Sequence, residues 1–384
     1  MIHILNYPHL WNLLLAWFLV YLTMPAVIAI ARKVRAMDRP GGHKAHGREV
    51  AFLGGVGIFI AFSIAVLSTI RLFPNDSLLD FIARGESRSL FGVVLGSLIV
   101  LILGLIDDFH PIRAIVKLGV IVAVTVLIYF FGVQMTMVHT ASPLANILLN
   151  VPLTVLWIVG VTSAMNSLDN MDGVASGTAA VASIVIFYIA WGTSPQDAQP
   201  WLSYLAVALF GACLGFLRFN FLPARVFLGD NGSFLLGFLL ASMLVLGRWS
   251  PDPVKSAVIP CVILTVPLFD ITLSTILRIK HGIVRTIPQA IAYSGRDHIS
   301  HRFQALGLSP TVTVLTIYLL ACLSGFIAVW IFKTEGGPGA YIPILAFYTA
   351  FLIVLGVWLD RAPVYRQEVD VPSPTEKPQE VEVP

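Results

Sequence analysis

Long uncharged apolar runs recur along almost the whole chain, and they constrain its fold more than any other feature. Eleven of them approach the roughly twenty residues that a helix needs to cross the hydrocarbon of a bilayer. They occupy residues 10-31, 52-70, 90-106, 113-131, 145-163, 174-191, 201-219, 232-247, 257-277, 312-332 and 341-359. Because 57% of the residues are hydrophobic and only 12% are charged, no room remains for a soluble domain. We therefore expect an all-α fold, a polytopic integral membrane helix bundle of about eleven spans over residues 1-360.

The distribution of positive charge predicts the orientation of this bundle. Short loops on the cytoplasmic side of a membrane are enriched in Lys and Arg. With the N-terminus outside, eighteen of the 24 Lys and Arg residues fall on inner segments. An odd number of spans then places the C-terminus in the cytoplasm, where residues 361-384 are rich in Pro and Glu and predict a disordered tail. The net charge of +3, scattered over short loops, does not favour nucleic-acid binding.

An acidic junction separates two of the apolar runs at Met165 to Gly177, M-N-S-L-D-N-M-D-G-V-A-S-G. Its residues Asn166, Asp169 and Asp172 are spaced by three, so on a helix they would share one face. A chain of Asx turns is the simpler alternative. Carboxylates at a membrane edge cost several kcal/mol to bury unless they are paired or bound to a metal. The junction therefore predicts partners elsewhere in the chain.

Two further acidic motifs lie at the ends of apolar runs. Asp107 and Asp108 close one run in G-L-I-D-D-F-H-P-I, and Asp230 opens another in F-L-G-D-N-G-S. Adjacent carboxylates repel, so the pair needs a cation or a raised pKa, unless it is only a solvated helix end. Asp230 is either a helix cap or a ligand in a glycine-flanked turn that allows close approach to phosphate.

Basic loops complete the polar set. His298 and His301 stand in D-H-I-S-H-R, and Lys44 stands in the first inner loop. The H-x-x-H spacing would suit zinc, but no Cys or Glu completes the ligands, and basic loops also arise from topology alone. A cationic rim around a polyphosphate fits better. Carboxylate and amide oxygens beside such a rim indicate Mg²⁺ or Mn²⁺ and a substrate that carries a diphosphate.

Five motifs in this order resemble those of the polyprenyl-phosphate N-acetylhexosamine-1-phosphate transferases. The resemblance extends from about residue 38 to residue 302. It rests on D-x-P with K-x-H and Gly-Gly at Asp38, Pro40, Lys44, His46, Gly54 and Gly55, the Asp107-Asp108 pair, N-x-x-D-N-M-D-G, F-L-G-D-N-G-S and D-H-I-S-H-R. The predicted arrangement, eleven spans with the N-terminus outside, is similar to that of the family members that use UDP-N-acetylglucosamine.

The resemblance implies that sugar-1-phosphate passes from a UDP-N-acetylhexosamine to undecaprenyl phosphate, with release of UMP. It implies that Asp230 and Asn166 hold Mg²⁺ and that Asp107, with Asp108 beside it, is a base for the lipid phosphate. The resemblance also implies contacts with the nucleotide, where Phe227 stacks on uracil, and contacts with the diphosphate or the sugar. It implies a catalytic role for His298. The residues so implied are Lys44, Asp169, Asp172, Asn220 and Phe227 for the nucleotide, and His298, His301 and Arg302 for the diphosphate or sugar.

Two positions depart from the family pattern. Ser163 stands where the family often has Asn, and Ser300 stands where it often has His. The branch that takes UDP-MurNAc-pentapeptide has three successive His residues there, so H-I-S-H argues against that substrate. The implied location is the bacterial cytoplasmic membrane, with the site on the cytoplasmic face. The sequence leaves open a homodimer and the choice between direct transfer and a phospho-enzyme.

Two alternatives come from other classes of protein. An ion-coupled transporter would use acids as cation sites near the bilayer midplane, whereas only Asp270 lies well inside an apolar run. An inactive scaffold subunit would have no need of intact metal-type motifs. The sequence therefore favours the transferase.

Overall fold

Thirteen helices and one pair of two-residue strands make up the part of the chain that the structure describes. The structure is a computed structural model, and it describes residues 7–38, 49–72, 86–136, 141–192, 199–286, 289, 290, 293 and 295–365. The helices are α1 (Pro8–Lys33), α2 (Gly54–Leu72), α3 (Glu86–Phe109), α4 (Ala114–Tyr129), α5 (Pro143–Leu168), α6 (Val174–Trp191), α7 (Pro200–Asn220), α8 (Gly229–Leu246), α9 (Pro253–Ile263), α10 (Thr265–Lys280), α11 (Ile299–Ala305), α12 (Pro310–Lys333) and α13 (Pro338–Leu359).

The helices coincide with the predicted apolar runs, which confirms an all-helical bundle of the polytopic membrane type. Among the described residues, eight helices are long and apolar enough to cross a membrane. Helices α2 and α4 are shorter apolar helices, and α9 with α10 passes the same test as a bent pair. The number of eleven spans and the orientation of the termini remain predictions.

The ninth run, predicted as one span over 257-277, is a bent pair of helices in the structure, α9 and α10. Helix α9 ends at Ile263, and α10 leaves at an angle of 79°. The break follows from Pro267, which has no amide hydrogen and whose ring would clash with the carbonyl group of Ile263 in a continuous helix. Leu264, at the break, has φ −99° and ψ 25° and serves both helices as an end residue.

Helix α8 lies at the centre of the bundle, packed against α2, α3, α5 and α6. Small residues let its neighbours approach closely: a Cβ atom on Gly237 would stand 2.7 Å from the Cα atom of Thr162 in α5. The first turn of this buried helix carries Asp230. The most enclosed helix of the bundle therefore presents an acidic side chain at one end.

A short strand pair supports the start of α8. Strands β1 (Met37–Asp38) and β2 (Val50–Ala51) are antiparallel, and Ala51 forms a parallel bridge with Val226. The amide of Phe227 donates to the carbonyl oxygen of Ala51 at 2.7 Å. The strand pair is thus tied to the turn that precedes α8.

The packed chain continues past α13 as far as Tyr365. Within the described residues 361–365, Ala362 and Val364 are buried. The sequence predicts a disordered tail over residues 361-384. Of these, residues 366–384 lie outside the residues that the structure describes.

Candidate active site

A cavity of about 870 Å³ opens where the polar ends of the central helices meet. Its lining comes from α4, α5, α8 and α10 and from the loop that leads to α11. The lining combines apolar side chains, here called the apolar wall, with charged, amide and hydroxyl side chains. The polar lining includes Lys117, Ser163, Asn166, Ser167, Asp169, Asn170, Asp230, Arg278, Arg285 and His298, and the apolar wall includes Ile112, Leu118, Ile121, Phe234, Ile271 and Ile279.

Lys117 joins two of the predicted acidic residues at this cavity. Its Nζ donates to Asp107 Oδ2 at 2.6 Å and to Asp230 Oδ2 at 3.3 Å. Asp107 also accepts the backbone N–H of Ile112 at 2.6 Å, which fixes its carboxylate after the end of α3. The predicted cation beside the acidic pair is thus a lysine from the next helix, a residue that the sequence analysis did not single out.

Asn166 meets Asp230 from the last turn of α5. Its Nδ2 donates to Asp230 Oδ1 at 3.0 Å and to Ser233 Oγ at 2.8 Å. Asp230 therefore has Lys117 on one carboxylate oxygen and Asn166 on the other. The two residues implied as metal ligands lie side by side.

Asp108 faces away from the cavity and holds the beginning of α8. Its Oδ1 accepts the N–H of Asp230 at 2.8 Å, and its Oδ2 accepts the N–H of Asn231 at 3.0 Å. The side-chain Nδ2 of Asn231 adds a third bond to Oδ2 at 2.6 Å. Asp108 thus supplies from another helix the acceptor that unpaired N–H groups at a helix start require. This geometry makes it a positioning residue for Asp230.

The acidic junction divides into a helix end and a turn. Helix α5 ends at Leu168, and Gly173, at φ 80°, begins the reversal into α6. Burial, followed by the negative charges of Asp230, Asp108 and Asp172, raises the pKa of Asp169 well above its usual value. Asp169 lines the cavity, whereas Asp172 accepts the N–H of Ala224 at 2.8 Å.

His298 is oriented by a buried carboxylate. Its Nδ1 lies 2.8 Å from Asp270 Oδ2, and Asp270, at 0% exposure, also accepts the N–H of Ile299 at 2.7 Å. The Nε2 atom lies 3.3 Å from Nη2 of Arg278. Because an arginine can only donate, these partners assign a neutral imidazole with the proton on Nδ1 and a lone pair on Nε2.

A buried ion pair brings a guanidinium to the same wall. Arg278 donates from Nε and Nη2 to the two carboxylate oxygens of Asp297, each at 2.7 Å. Burial opposes ionisation of Asp297, but the hydrogen bond and charge of Arg278 prevail and lower the pKa of this carboxyl below its usual value. The pair is therefore ionised and rigid.

Several residues implied by the resemblance lie away from this cavity. Asn220 is buried, donates to Val226 O at 2.9 Å and accepts from Ser176 Oγ at 2.7 Å, so it braces the two turns that flank the site. Arg302 is 0% exposed and donates to Asp297 O at 2.7 Å, so in this structure it does not face a substrate.

The remaining implied residues have other surroundings. Phe227 is half-buried beside β2 and does not line the cavity. His301 is also outside the lining, and its pKa is lowered to about 4, chiefly by burial. Lys44 lies outside the described residues.

Sequence reasoning missed three residues that shape the site. Lys117 was counted only as a topological charge, and Arg278 only as part of a basic loop. Asp270 was noted as a lone acid inside an apolar run, and that position was the available signal, because a buried carboxylate requires a partner.

The donor set fits a magnesium ion. Within the described residues no three His, Cys, Asp or Glu side chains form a metal cage. Magnesium commonly uses one or two protein carboxylates and completes its shell with water and substrate phosphates. Asp230 and Asn166 would supply such ligands, since rotation of the Asn166 amide exchanges its nitrogen and oxygen.

The bundle and its cavity define a class, the polytopic membrane proteins with a charged site at the ends of their central helices. A model of glycosyl transferase family 4 matches residues 90–248, which include Asp107, Asn166 and Asp230. The chain is 32% identical over 313 residues to a "Probable undecaprenyl-phosphate N-acetylglucosaminyl 1-phosphate transferase" of Bacillus subtilis, covering 81% of each chain. The chain belongs to glycosyl transferase family 4.

Two other relatives are similar at lower identity. A "Decaprenyl-phosphate N-acetylglucosaminephosphotransferase" of Mycolicibacterium smegmatis is 28% identical over 382 residues, 92% of this chain and 90% of the relative. A "Phospho-N-acetylmuramoyl-pentapeptide-transferase" of Bacillus velezensis is 28% identical over 348 residues, 84% of this chain and 98% of the relative. The similarity therefore extends across two branches of the family.

Proposed function

We propose that this protein transfers N-acetylglucosamine-1-phosphate from UDP-N-acetylglucosamine to undecaprenyl phosphate and releases UMP. The observation that carries the proposal is one cavity in which Asp230, Asn166 and Lys117 form a cluster beside an apolar wall. Such a cavity suits two substrates at once, a charged diphosphate and a phosphate on a hydrocarbon chain. The names of the relatives support this pairing.

The chemistry joins two anions, so charge repulsion is the main barrier. An oxygen of the lipid phosphate attacks the phosphorus that carries the sugar, and the bond from that phosphorus to the bridging oxygen breaks. The electron pair leaves with UMP. A magnesium ion bound to the diphosphate would neutralise charge on the phosphorus and on the leaving oxygen.

The protein supplies further positive charge and position. Lys117 is held by Asp107 and Asp230 at the end of the apolar wall, where the lipid phosphate would lie. Arg278 also lines the cavity, and its guanidinium is suited to bind a phosphate in a fixed geometry. Since the lipid phosphate is already largely ionised near neutral pH, Asp107 acts mainly by placing Lys117.

His298 acts through its lone pair and not as an acid. With Nδ1–H directed at Asp270, its Nε2 accepts from Arg278 or from a hydroxyl group of the sugar. Ser300 donates to Asn170 Oδ1, which links α11 to the junction after α5. Ser300, which stands where the family often has His, thus connects α11 to the junction that follows α5.

The choice of sugar rests on the relatives and on the H-I-S-H motif. The relative with the highest identity quoted above is named for N-acetylglucosamine, and the chain lacks three successive His residues. We place the enzyme in the bacterial cytoplasmic membrane with its cavity on the cytoplasmic face, where it would begin lipid-linked cell-envelope glycan synthesis. The basic residues of the inner loops support this side.

A UMP exchange assay tests the proposal. Membranes that contain the protein should incorporate labelled UMP into UDP-N-acetylglucosamine when undecaprenyl phosphate and Mg²⁺ are present. A panel of UDP-sugars identifies the donor, and removal of Mg²⁺ with a chelator should stop the exchange. Absence of exchange with every UDP-N-acetylhexosamine would refute the proposed function.

The transporter alternative has no support in these findings. Asp270, the one acid inside an apolar run, is paired with His298, and the other acids lie at helix ends. A substrate-dependent current in liposomes remains the result that would revive it.

A further inference from the structure

A half-buried tyrosine beyond the last helix, Tyr365, connects the C-terminal segment to the cavity. Tyr365 OH donates to Asp297 Oδ2 at 2.8 Å, and Asp297 holds the cavity residue Arg278 through both of its carboxylate oxygens. Only one side chain therefore separates Tyr365 from a guanidinium that lines the candidate active site.

The hydroxyl group of Tyr365 also accepts a hydrogen bond, from Arg302. Nη2 of Arg302 donates to Tyr365 OH at 2.7 Å, and the Arg302 guanidinium lies 5.0 Å from the centre of the tyrosine ring. Nε of Arg302 donates to Asp297 O at 2.7 Å. Because Arg302 is fully buried, it cannot turn outward to water, and this fixes the direction in which Tyr365 donates.

Arg278 is held so that part of its guanidinium stays available. Within the described residues its hydrogen bonds use Nε and Nη2, on Asp297 and His298, and its ring contact is with Tyr293 at 4.6 Å. Among the described residues Nη1 has no hydrogen-bond partner, so it can donate to a ligand in the cavity. A guanidinium fixed in this way loses less side-chain entropy when it binds phosphate.

The segment itself is anchored at a second point. Asp360, at the end of α13, accepts from Lys280 and lies 2.8 Å from His281 Nε2, just after α10 ends. The His281 ring also lies 5.1 Å from the ring of Tyr365. The segment 360–365 is thus attached to the same helix that carries Arg278.

From these contacts we propose that Tyr365 is a positioning residue that, through Asp297, directs Arg278 at a phosphate group of the substrates. This inference rests on the proposed function. The phosphate group belongs either to the UDP-sugar or to the lipid. Measuring KM for each of the two substrates shows which one Arg278 binds. The proposal also gives a role in substrate binding to Tyr365, which the sequence predicts to lie in a disordered tail.

The experiment compares Tyr365→Phe with Tyr348→Phe in the full-length protein. Both changes remove one hydrogen-bonded hydroxyl group. Tyr348 in α13 is bonded to Ser324, and neither of these residues lines the cavity. We expect Tyr365→Phe to raise KM for one of the two substrates about tenfold, the effect of one charge-linked hydrogen bond, with kcat nearly unchanged. Tyr348→Phe should leave both KM values unchanged.

A second measurement does not depend on turnover. Binding of the UDP-sugar or the lipid phosphate raises the melting temperature of the wild type in detergent. Tyr365→Phe should lose most of this shift for one ligand, while Tyr348→Phe retains it. In an Arg278→Lys background, Tyr365→Phe should have no further effect on KM, since the positioned group is absent.

The outcomes separate the two proposals. An inactive wild type that no ligand stabilises refutes the proposed function, and this inference with it. An active wild type whose Tyr365→Phe variant keeps both KM values and both ligand-induced shifts overturns the inference alone. A loss of intrinsic thermal stability with unchanged KM would assign Tyr365 a structural role only and would also overturn it.

Discussion

At the scale of single residues, the site is a set of charges that hold one another in place. Asp230 shares its two oxygens between Lys117 and Asn166, and each of these partners belongs to a different helix. A charge-linked hydrogen bond contributes about 1.5–3 kcal/mol, so removal of one partner leaves another group unpaired. The individual side chains therefore act as a unit.

Asp230→Asn should abolish activity while the protein still folds. The amide keeps the size of the side chain and a carbonyl oxygen toward Lys117, but it removes the negative charge that would bind magnesium. We expect the exchange rate to fall by at least about 100-fold, the order of effect of removing one electrostatic group from an active site. The rate is measured by UMP exchange, and folding by elution as a single peak in detergent.

Asp252→Asn is a suitable control for this variant. Asp252 caps α9 through the N–H groups of Val254 and Lys255 and has no contact with the cavity. Its substitution should cost at most about 1 kcal/mol of stability and leave the exchange rate unchanged. Normal exchange by Asp230→Asn would remove the metal role from this residue.

His301 should make the stability of the protein depend on pH. Its pKa is lowered from 6.5 to about 4 in the folded chain, chiefly by burial. Between these two values the unfolded state takes up a proton and the folded state does not, so the free energy of unfolding falls as the pH falls. Melting curves from pH 7 to pH 4 should show a shallower loss of stability for His301→Gln.

The exposed His110, just after α3, is the matched control for this measurement. His110→Gln should preserve the slope of the wild type. A wild-type slope in His301→Gln would contradict the prediction.

At the scale of elements, the site depends on how closely α3 approaches the start of α8. A Cβ atom on Gly104 would stand 2.5 Å from the Cα atom of Asn231, next to Asp230. Asp108, one turn further along α3, caps the same end of α8. Helix α3 therefore sets the position of Asp230 by sterics and by hydrogen bonding together.

Gly104→Ala should displace the first turn of α8 and lower the exchange rate about tenfold or more, because a small misplacement of reacting groups has large effects. Gly119→Ala in α4 is the control, since nothing lies within 4 Å of its added Cβ atom. The control should match the wild type in activity and be equally or more stable. Equal activity in the two variants would show that the close approach has no role in catalysis.

The helices themselves were predictable, because long apolar runs leave a chain few alternatives in a membrane. The break at Leu264 was less visible, since Pro260 and Pro267 stand within an otherwise continuous apolar run. The resemblance to the family implies that Asp230 and Asn166 act together. Lys117 and Arg278 could not, because a sequence does not show which face of one helix meets which face of another.

At the scale of the whole molecule, all cavity-lining motifs lie at one end of the bundle. Under the proposed function, a single membrane face would therefore supply the water-soluble UDP-sugar, and the apolar wall would bind the lipid. The positive charges of the loops predict that this face is cytoplasmic.

Cysteine mapping tests this orientation. Thr286, which lines the mouth of the cavity, should react as Thr286→Cys with a membrane-impermeant maleimide only after cells are opened. Arg248→Cys, in the loop between α8 and α9, should react in intact cells. The native cysteines are replaced by Ala in both variants. The reverse pattern would invert the bundle and exclude a cytoplasmic donor site.

The enclosure of α8 also determines how the enzyme responds to its surroundings. Its neighbours α2, α3, α5 and α6 separate the helix that carries Asp230 from the acyl chains. Changes in bilayer thickness act on lipid-facing helices, which tilt to match the hydrocarbon. Tilting of outer helices such as α1 and α13 would absorb that mismatch, so turnover should vary little between membranes of short and long lipids.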